Sequence, residues 1–580
     1  MLKYLKENKF EVFSVFAISI FALILRFISL QNFGDLWVDE LYSKYFASKN
    51  TVIEVIKTLF NEDFHTPLYF VMLHFWGKFF GYSDFLLRSM GLFFTVLTIP
   101  VSFYVVKDLF NKYSAYFVAL FLSVSAFNIH YSVELRFYGT AILFAILSTY
   151  YFVKFVQNSD KTNLCFYSLF SLLLLYTFNF SFMYVFCQFL VGGIYLLKNK
   201  KSIKDFIFVY IFIAILYLPV IFMVFHNVLV YQTSILKFVR DIFAFDISCV
   251  FSLLLTIFSN IYEQFTTNDI ARNYYYLSNL FTFKYLLFAL VPILIGLLGL
   301  VRALKMNSKS MKLFVYPSIL LILIQFVLVF THTMAFVLRY TVISSTLILI
   351  ASVVGLTQNF AVKKESKNND KFCIILCVVW LLLNSCFLFM NEKYSVLNRN
   401  IIYSRNLTQT LETLNLTQND YVFVPRFGKL IYQFIPQGKL VNFDTYDAFF
   451  LNNRPNDIEF IFGEDLSKRL NRKMAKTYLY DYIVLDLPLK SMQENLRKNY
   501  FFDMKKGQKF IIITDETLEN LKQNQEWFRK DINVYARSSI YYTLSAKILS
   551  DLIEFSKQDL TFKQHLKPSM MFDVYVFEKE

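Results

Sequence analysis

Apolar residues run through the first two-thirds of the chain in stretches long enough to cross a bilayer, each cut off by a short polar segment. A helix of about 20 apolar residues spans the hydrocarbon core. By that measure the crossings are 12–30, 89–106, 114–130, 139–156, 163–177, 180–197, 205–226, 281–301, 313–331, 340–358 and 372–390. Two other apolar stretches, Pro67–Phe80 and 247–262, are short or flanked by polar residues. Past residue 390 the pattern changes. Short apolar strands at 421–424, 482–485, 510–514 and 574–577 alternate with helical stretches such as 518–530, which points to an α/β domain. The expected fold is a polytopic α-helical membrane protein of about eleven transmembrane helices. It occupies residues 1–391, with interfacial helices in its first outer loop, and an α/β domain follows over residues 392–580.

Composition narrows the class further. Of 580 residues, 56% are apolar and 17% charged, whereas a soluble chain runs roughly 45–50% and about 25%. A soluble enzyme, a secreted disulfide scaffold and a disordered chain are thereby excluded. Cysteines at 165, 187, 249, 373, 377 and 386 lie within or beside apolar runs. They form no CxxC pair and no His/Cys set, so neither a zinc site nor a disulfide framework is indicated. The first apolar run has basic flanks but no small-residue cleavage site behind it, and reads as an anchor rather than a removed signal peptide.

The formal net charge of +15 invites a nucleic-acid partner, but the placement of the charge argues for topology instead. Lysines and arginines gather in short loops: Lys198, Lys200, Lys201 and Lys204; Arg302, Lys305, Lys309 and Lys312; Lys363, Lys364, Lys367 and Lys371. Basic residues in short loops mark the cytoplasmic side. Lys3, Lys6 and Lys9 put the N-terminal segment there too. All four basic segments share one side only if Pro67–Phe80 lies in the interface rather than crossing. The regions 31–88, 131–138, a turn near Asn179, 227–280, 332–339 and the tail beyond 390 are then extracytoplasmic. Aromatic residues reach 19%, with 70 Phe and 39 Tyr, which a composition bias explains without any aromatic binding platform.

Three sets of polar residues in the outer regions carry candidate chemistry. The first loop reads DLWVDELYSKYFASKN and ends in FHTPLYF. Most of its acids read as solvated loop residues, but Asp39 and Glu40 are flanked by Trp37, Val38, Leu41 and Tyr42. Partial desolvation strengthens a carboxylate as a general base. The second set is IHYSVELRFYG, with Glu134 and Arg136, and the third is Arg339–Tyr340, preceded by His332. A helix-end ion pair or a snorkelling arginine is the ordinary reading of both. Their shared side favours a joint role toward an anionic, lipid-borne substrate, because arginine pairs well with phosphate.

These motifs, in this order, resemble the polyprenyl-phosphate-sugar-dependent glycosyltransferases of the GT-C class. That class includes protein O-mannosyltransferases, the lipid A aminoarabinose transferase and the RgtA/B/C/D-like enzymes. The matching features are the acid pair in VDELYS, the element HTPLYF (His65 to Phe70), Arg88 opening the next span, and HYSVELRFYG. The likeness is good over residues 1–160, weaker at RYTVISSTLIL from Arg339, and does not reach the tail beyond 400. Thr66 stands where many relatives carry a second proline.

The resemblance implies transfer of a sugar from a polyprenyl-phosphate carrier to a lipid, glycan or protein acceptor, with inversion, on the outer face of a bacterial plasma membrane. It implies Asp39 as general base and Glu40 as its neighbour in the catalytic pair. His65, Tyr69, Arg88, Glu134, Arg136, Tyr138, Arg339 and Tyr340 are implied to bind substrate. No cofactor is called for, although acids together with His65 leave room for a divalent cation. Two alternatives remain open at this point: a lipid or glycan transporter, which favours charged or broken helices at the midplane, and a non-catalytic membrane scaffold.

The charge pattern makes a direct prediction. In a chain with its native cysteines replaced, Asn199→Cys will be protected from a membrane-impermeant thiol reagent in intact cells and Asn452→Cys will be labelled. The reverse pattern overturns the parity argument and the interfacial placement of Pro67–Phe80.

Overall fold

The long apolar runs fold as helices. The computed structural model describes residues 9–33, 36, 38–63, 65–199, 203–230, 247–261, 283–331, 333–334, 336–358, 368–390, 397, 410, 413–417, 419–423, 439–440, 497, 501–514, 553–566 and 573–580. These fall into two compact units, Met1–Phe33 with Tyr42–Arg399, and Gly34–Leu41 with Asn400–Glu580.

The larger unit opens with α1 (Lys9–Gln31). Three shorter helices follow: α2 (Val38–Ala47), whose first residues cluster with the other unit, α3 (Val52–Glu62) and α4 (Pro67–Phe80). Next come α5 (Asp84–Leu109), α6 (Lys112–Val124), α7 (Ala126–Val133), α8 (Tyr138–Asn158), α9 (Lys161–Thr177), α10 (Ser181–Lys198) and α11 (Lys204–Val230). The unit closes with α12 (Ile247–Phe258), α13 (Phe283–Lys305), α14 (Lys309–Phe330), α15 (Val342–Thr357) and α16 (Asn368–Met390). Polar residues at the run boundaries start several helices by accepting from otherwise orphaned backbone N–H groups. Asn111 accepts from Ser114 N at 2.8 Å, Ser308 from Met311 N at 3.2 Å, and Asp160 from Thr162 N and Asn163 N at 3.3 Å.

Among the described residues, nine helices are long and apolar enough to cross a membrane, and α6 with α7 makes a tenth if counted as one bent span. The helix α9 covers the remaining expected crossing but has 17 residues. At 1.5 Å per residue it is about 25 Å long, a little short of the hydrocarbon thickness. The helices α4 and α12, of 14 and 12 residues, are too short to cross unaided. Every residue of α15 is buried, as expected for a helix apolar on all faces. It crosses α13 closely where Gly299 and Gly355 meet, and a Cβ at either glycine would strike the other helix's backbone.

The sequence reads 114–130 as one crossing, but the structure breaks it. Ser125 is extended (φ −64°, ψ 114°), and the helix bends by 56° between α6 and α7. A break inside a bilayer frees backbone groups that water cannot satisfy, so protein must do it. Arg26 on α1 donates to Leu122 O at 3.0 Å and Ser123 O at 3.2 Å. Asn260 donates to Val124 O at 2.6 Å and accepts from Ala126 N at 2.9 Å. Ser125 Oγ accepts from Asn128 N at 3.4 Å and starts the second half-helix. Asn260 is itself braced, donating to Asn384 O at 3.0 Å.

The smaller unit carries a five-stranded sheet: β1 (Tyr421–Phe423), β2 (Lys439–Leu440), β3 (Lys509–Thr514), β4 (Thr561–Leu566) and β5 (Asp573–Glu578), in the order β2-β1-β3-β5-β4. The strand β1 runs parallel to β2 and β3, while β5 is antiparallel to β3 and β4. Three of the expected strands are found. The expected strand 482–485 and the helix 518–530 lie outside the described residues. The strands β2 and β4 were not anticipated; β4 reads TFKQHL and is largely exposed, so it lacks the apolar alternation that marks a strand.

The break supplies a stability prediction. Arg26→Met leaves Leu122 and Ser123 carbonyls without these donors, at about 1–3 kcal/mol each, partly offset by removing a buried charge. Arg26→Met and Asn260→Leu will each lower the melting temperature in detergent. The double variant will lose less than the sum, because both act on one break. A wild-type melting curve for Arg26→Met refutes this role.

Candidate functional site

The site is built where the first-loop helices meet the segment that follows the broken span. Residues 133–138 leave α7, turn through an Arg136 N to Glu134 O bond of 2.7 Å, and enter α8. This turn is buried throughout, which an irregular backbone tolerates only with protein packed on every side.

Two of the candidate residues touch directly. Arg136 Nη2 lies 2.8 Å from His65 Nε2, and its Nη1 donates to Ser43 Oγ at 3.3 Å. The guanidinium carbon sits 4.9 Å over the Phe137 ring. On the other side of the imidazole, His65 Nδ1 is 2.7 Å from Asp63 Oδ1. Arg136 is 3% exposed, so its charge is held within protein rather than snorkelling into water.

Local structure explains why the loop delivers His65 there. Thr51 caps α3 by accepting from Glu54 N at 3.2 Å, and Asp63 ends it with its own N–H on Leu59 O at 3.0 Å. Thr66 N donates to Asn179 Oδ1 at 3.0 Å, and Pro67 then starts α4, a position where its missing N–H costs nothing. The neighbouring helix α2 is pinned by the Lys44–Asp84 ion pair at 2.7 Å and by His74 Nδ1 on Ala47 O at 2.9 Å.

Aromatic rings link the other candidates. Phe137 lies 5.3 Å from the His65 ring, 6.0 Å from Tyr69 and 5.1 Å from Phe178. Tyr138 contacts Phe178 at 5.8 Å, and Phe178 continues to Phe180, which stacks on Tyr340 at 4.1 Å. Arg339 sits 5.8 Å from the Tyr340 ring. A second cluster pairs Glu134 with His130 at 3.4 Å, one helical turn apart. His130 lies 5.7 Å from Phe33, and Arg88 stands 4.7 Å over that same ring. Tyr131, 4.6 Å from His130 and 4.7 Å from Tyr138, joins the two clusters.

Asp39 and Glu40 occupy the first turn of α2, where carboxylates favour the positive end of the helix dipole. Glu40 is fully buried and Asp39 half-buried. Both belong to the segment Gly34–Leu41 that clusters with the smaller unit. His332 and Trp37 lie outside the described residues. Among the described residues, no three His, Cys, Asp or Glu side chains converge as a metal site.

Four residues of this arrangement were not singled out from sequence: Ser43, Asp63, His130 and Asn179. Two left a usable signal, the His130–Glu134 spacing of four on a helix and the Asp-x-His spacing at 63–65. Ser43 and Asn179 left none.

Glycine permits the close approach of α5 to the end of α7, just before this turn. A Cβ on Gly91 would lie 2.8 Å from Ser132 O, a backbone atom. Gly91→Ala must therefore displace the segment bearing Glu134 and Arg136, at about 1–3 kcal/mol of overpacking. A lowered melting temperature is expected, with Gly193→Ala as the control because nothing lies within 4 Å of its added Cβ. Equal melting of the two variants contradicts the close packing.

No protein-family model matches the chain, and no curated protein sequence matches it. Among solved structures, ArnT from Cupriavidus metallidurans in the apo state aligns over 98% of both chains with a TM-score of 0.52 and 11% identity. The same protein bound to undecaprenyl phosphate aligns over 98% of both chains with a TM-score of 0.50 and 10% identity. The oligosaccharyltransferase AglB from Archaeoglobus fulgidus, in complex with an inhibitory peptide and a dolichol-phosphate, gives a looser TM-score of 0.42 at 12% identity, over 98% of this chain and 89% of its own. The chain shares the fold of ArnT, a polytopic helical membrane unit followed by a small domain containing a sheet.

Proposed function

We propose that this protein is a membrane glycosyltransferase that moves a sugar from a polyprenyl-phosphate carrier to an acceptor hydroxyl at the extracytoplasmic surface. The observation that carries the reading is the buried Arg136 guanidinium, oriented by His65 and Ser43, in a chain that shares the fold of ArnT. A fixed guanidinium suits recognition of a phosphate, and a neighbour of the same fold was crystallised bound to undecaprenyl phosphate.

In the proposed reaction the acceptor oxygen attacks the anomeric carbon from the face opposite the carrier. The new oxygen–carbon bond forms as the bond from that carbon to the phosphate oxygen breaks, inverting the centre. The acceptor proton passes to Asp39, with Glu40 buried beside it and setting the helix start. Polyprenyl phosphate leaves with its electron pair and needs charge stabilisation more than a proton. Arg136 and Arg339 supply that charge, His65 is a third polar contact, and Tyr69, Arg88, Glu134, Tyr138 and Tyr340 are assigned to substrate binding.

One observation favours the transporter alternative: the broken span α6–α7, a feature of transport sites. Here Arg26 and Asn260 occupy the carbonyls of Leu122, Ser123 and Val124 that a transported ion would otherwise contact.

Mass spectrometry of lipid-linked sugars in a deletion strain tests the reading. The strain will accumulate a polyprenyl-phosphate sugar that the wild-type gene clears. Asp39→Asn, expressed to the wild-type level, will lose about 10²–10⁴-fold in turnover, as general-base removal does. Glu40→Gln will be milder, and Arg136→Ala will weaken donor use about ten- to a hundredfold. Absence of any accumulated carrier sugar, or wild-type turnover by Asp39→Asn, sinks the proposal.

A further inference from the structure

The geometry points to Asp63 as a positioning residue: by accepting the Nδ1 proton of His65 it leaves Nε2 as the acceptor that orients Arg136 toward a lipid phosphate. The inference rests on the functional reading above and extends it to a residue that makes no contact with the reacting atoms.

The argument starts from donor and acceptor counting. A guanidinium carries only N–H groups and accepts nothing. At 2.8 Å from Arg136 Nη2, His65 Nε2 must therefore present its lone pair. A neutral imidazole then holds its one proton on Nδ1, and that nitrogen lies 2.7 Å from Asp63 Oδ1. The carboxylate thus selects the tautomer, as a neighbouring acceptor generally does for histidine. Without Asp63 only the Arg136 contact opposes a proton on Nε2, where two donors would face each other.

Position strengthens the case. Asp63 closes α3 through its backbone bond to Leu59 O, and Thr66 is fastened to Asn179 by a backbone donor. These backbone bonds hold the loop at both ends. The side-chain carboxylate accepts from His65 Nδ1 at 2.7 Å. The imidazole edge and the Phe137 face, 5.3 Å apart between centroids, then confine the guanidinium that lies 4.9 Å over Phe137. The carboxylate acts on Arg136 through the ring, so its influence is on direction more than on net charge.

Two substitutions separate hydrogen bonding from charge. Asn at position 63 keeps a carbonyl oxygen able to accept from Nδ1–H, and Ala keeps nothing. The full-length protein, labelled with ¹⁵N-histidine in detergent micelles, contains six histidines, and His65 is assigned by the signal lost in His65→Gln. The wild type will show His65 protonated on Nδ1. Asp63→Asn will retain that form, and Asp63→Ala will lose it. Binding of undecaprenyl phosphate, measured on the same preparations, will weaken about tenfold in Asp63→Ala, the loss of one charge-assisted contact, and stay near wild type in Asp63→Asn. A wild-type His65 protonated on Nε2, or a tautomer indifferent to Asp63→Ala, overturns the inference. Unchanged lipid-phosphate binding in Asp63→Ala overturns the positioning role even if the tautomer shifts. Neither readout requires sugar transfer, so failure of the enzymatic reading registers separately, in the carrier-sugar assay.

Discussion

A helix broken inside a bilayer must have its freed backbone groups satisfied by protein, and that constraint organises the membrane unit. At Ser125 the chain leaves helical geometry, and three carbonyls of α6 turn for donors to side chains about 100 or more residues away in sequence. An arginine from α1 and an asparagine that follows α12 meet at the gap, and Asn260 bonds onward to the backbone of α16. The 56° bend that results is what aims α7 and the turn after it. Had α6 continued straight, residues 130–136 would lie on a helix face, one turn after another, instead of forming the buried turn that carries Glu134 and Arg136.

The medium around that turn matters as much as its geometry. Phe33, Phe137, Phe178 and Phe180 lie between the polar groups in tilted or stacked ring contacts. Rings shield the buried Arg136 without competing for its hydrogen bonds, whereas the His65 side chain stays 31% exposed. An aromatic-rich composition, read from sequence as bias, is put to a specific use here.

Much of the fold was legible because crossing length is a local property: each expected apolar run is helical, 114–130 as a bent pair. Arg136 and Tyr340 were readable as a charge and a ring at helix ends, and His65 only through the family resemblance. The break at Ser125 was not legible. Nothing near SVSAFN marks it, since no proline or glycine interrupts the run, and its cause lies in Arg26 and Asn260. The site was legible as separate letters and not as contacts. His65 and Arg136 are 71 positions apart, and Ser43 is an ordinary helix serine until Arg136 is seen to reach it. In the tail, β5 announced itself through VYVF, whereas β4 is an exposed strand whose place is fixed by pairing with β5 rather than by its own pattern.

Arginines near helix ends look alike in a sequence, and what holds each one separates their roles. Arg26 is 1% exposed and directs its terminal nitrogens at Ala22, Leu122 and Ser123 carbonyls. Those bonds are a condition of the helix break, so the group is not available to a substrate without undoing the fold. Arg88 is buried over Phe33, in the cluster with His130 and Glu134. Arg136 has a hydroxyl and an imidazole among the groups that hold it. Side-chain acceptors can exchange for phosphate oxygens while the backbone stays in place. Charge that must be offered to a ligand is therefore best held by such groups, and charge that must hold the chain together by carbonyls.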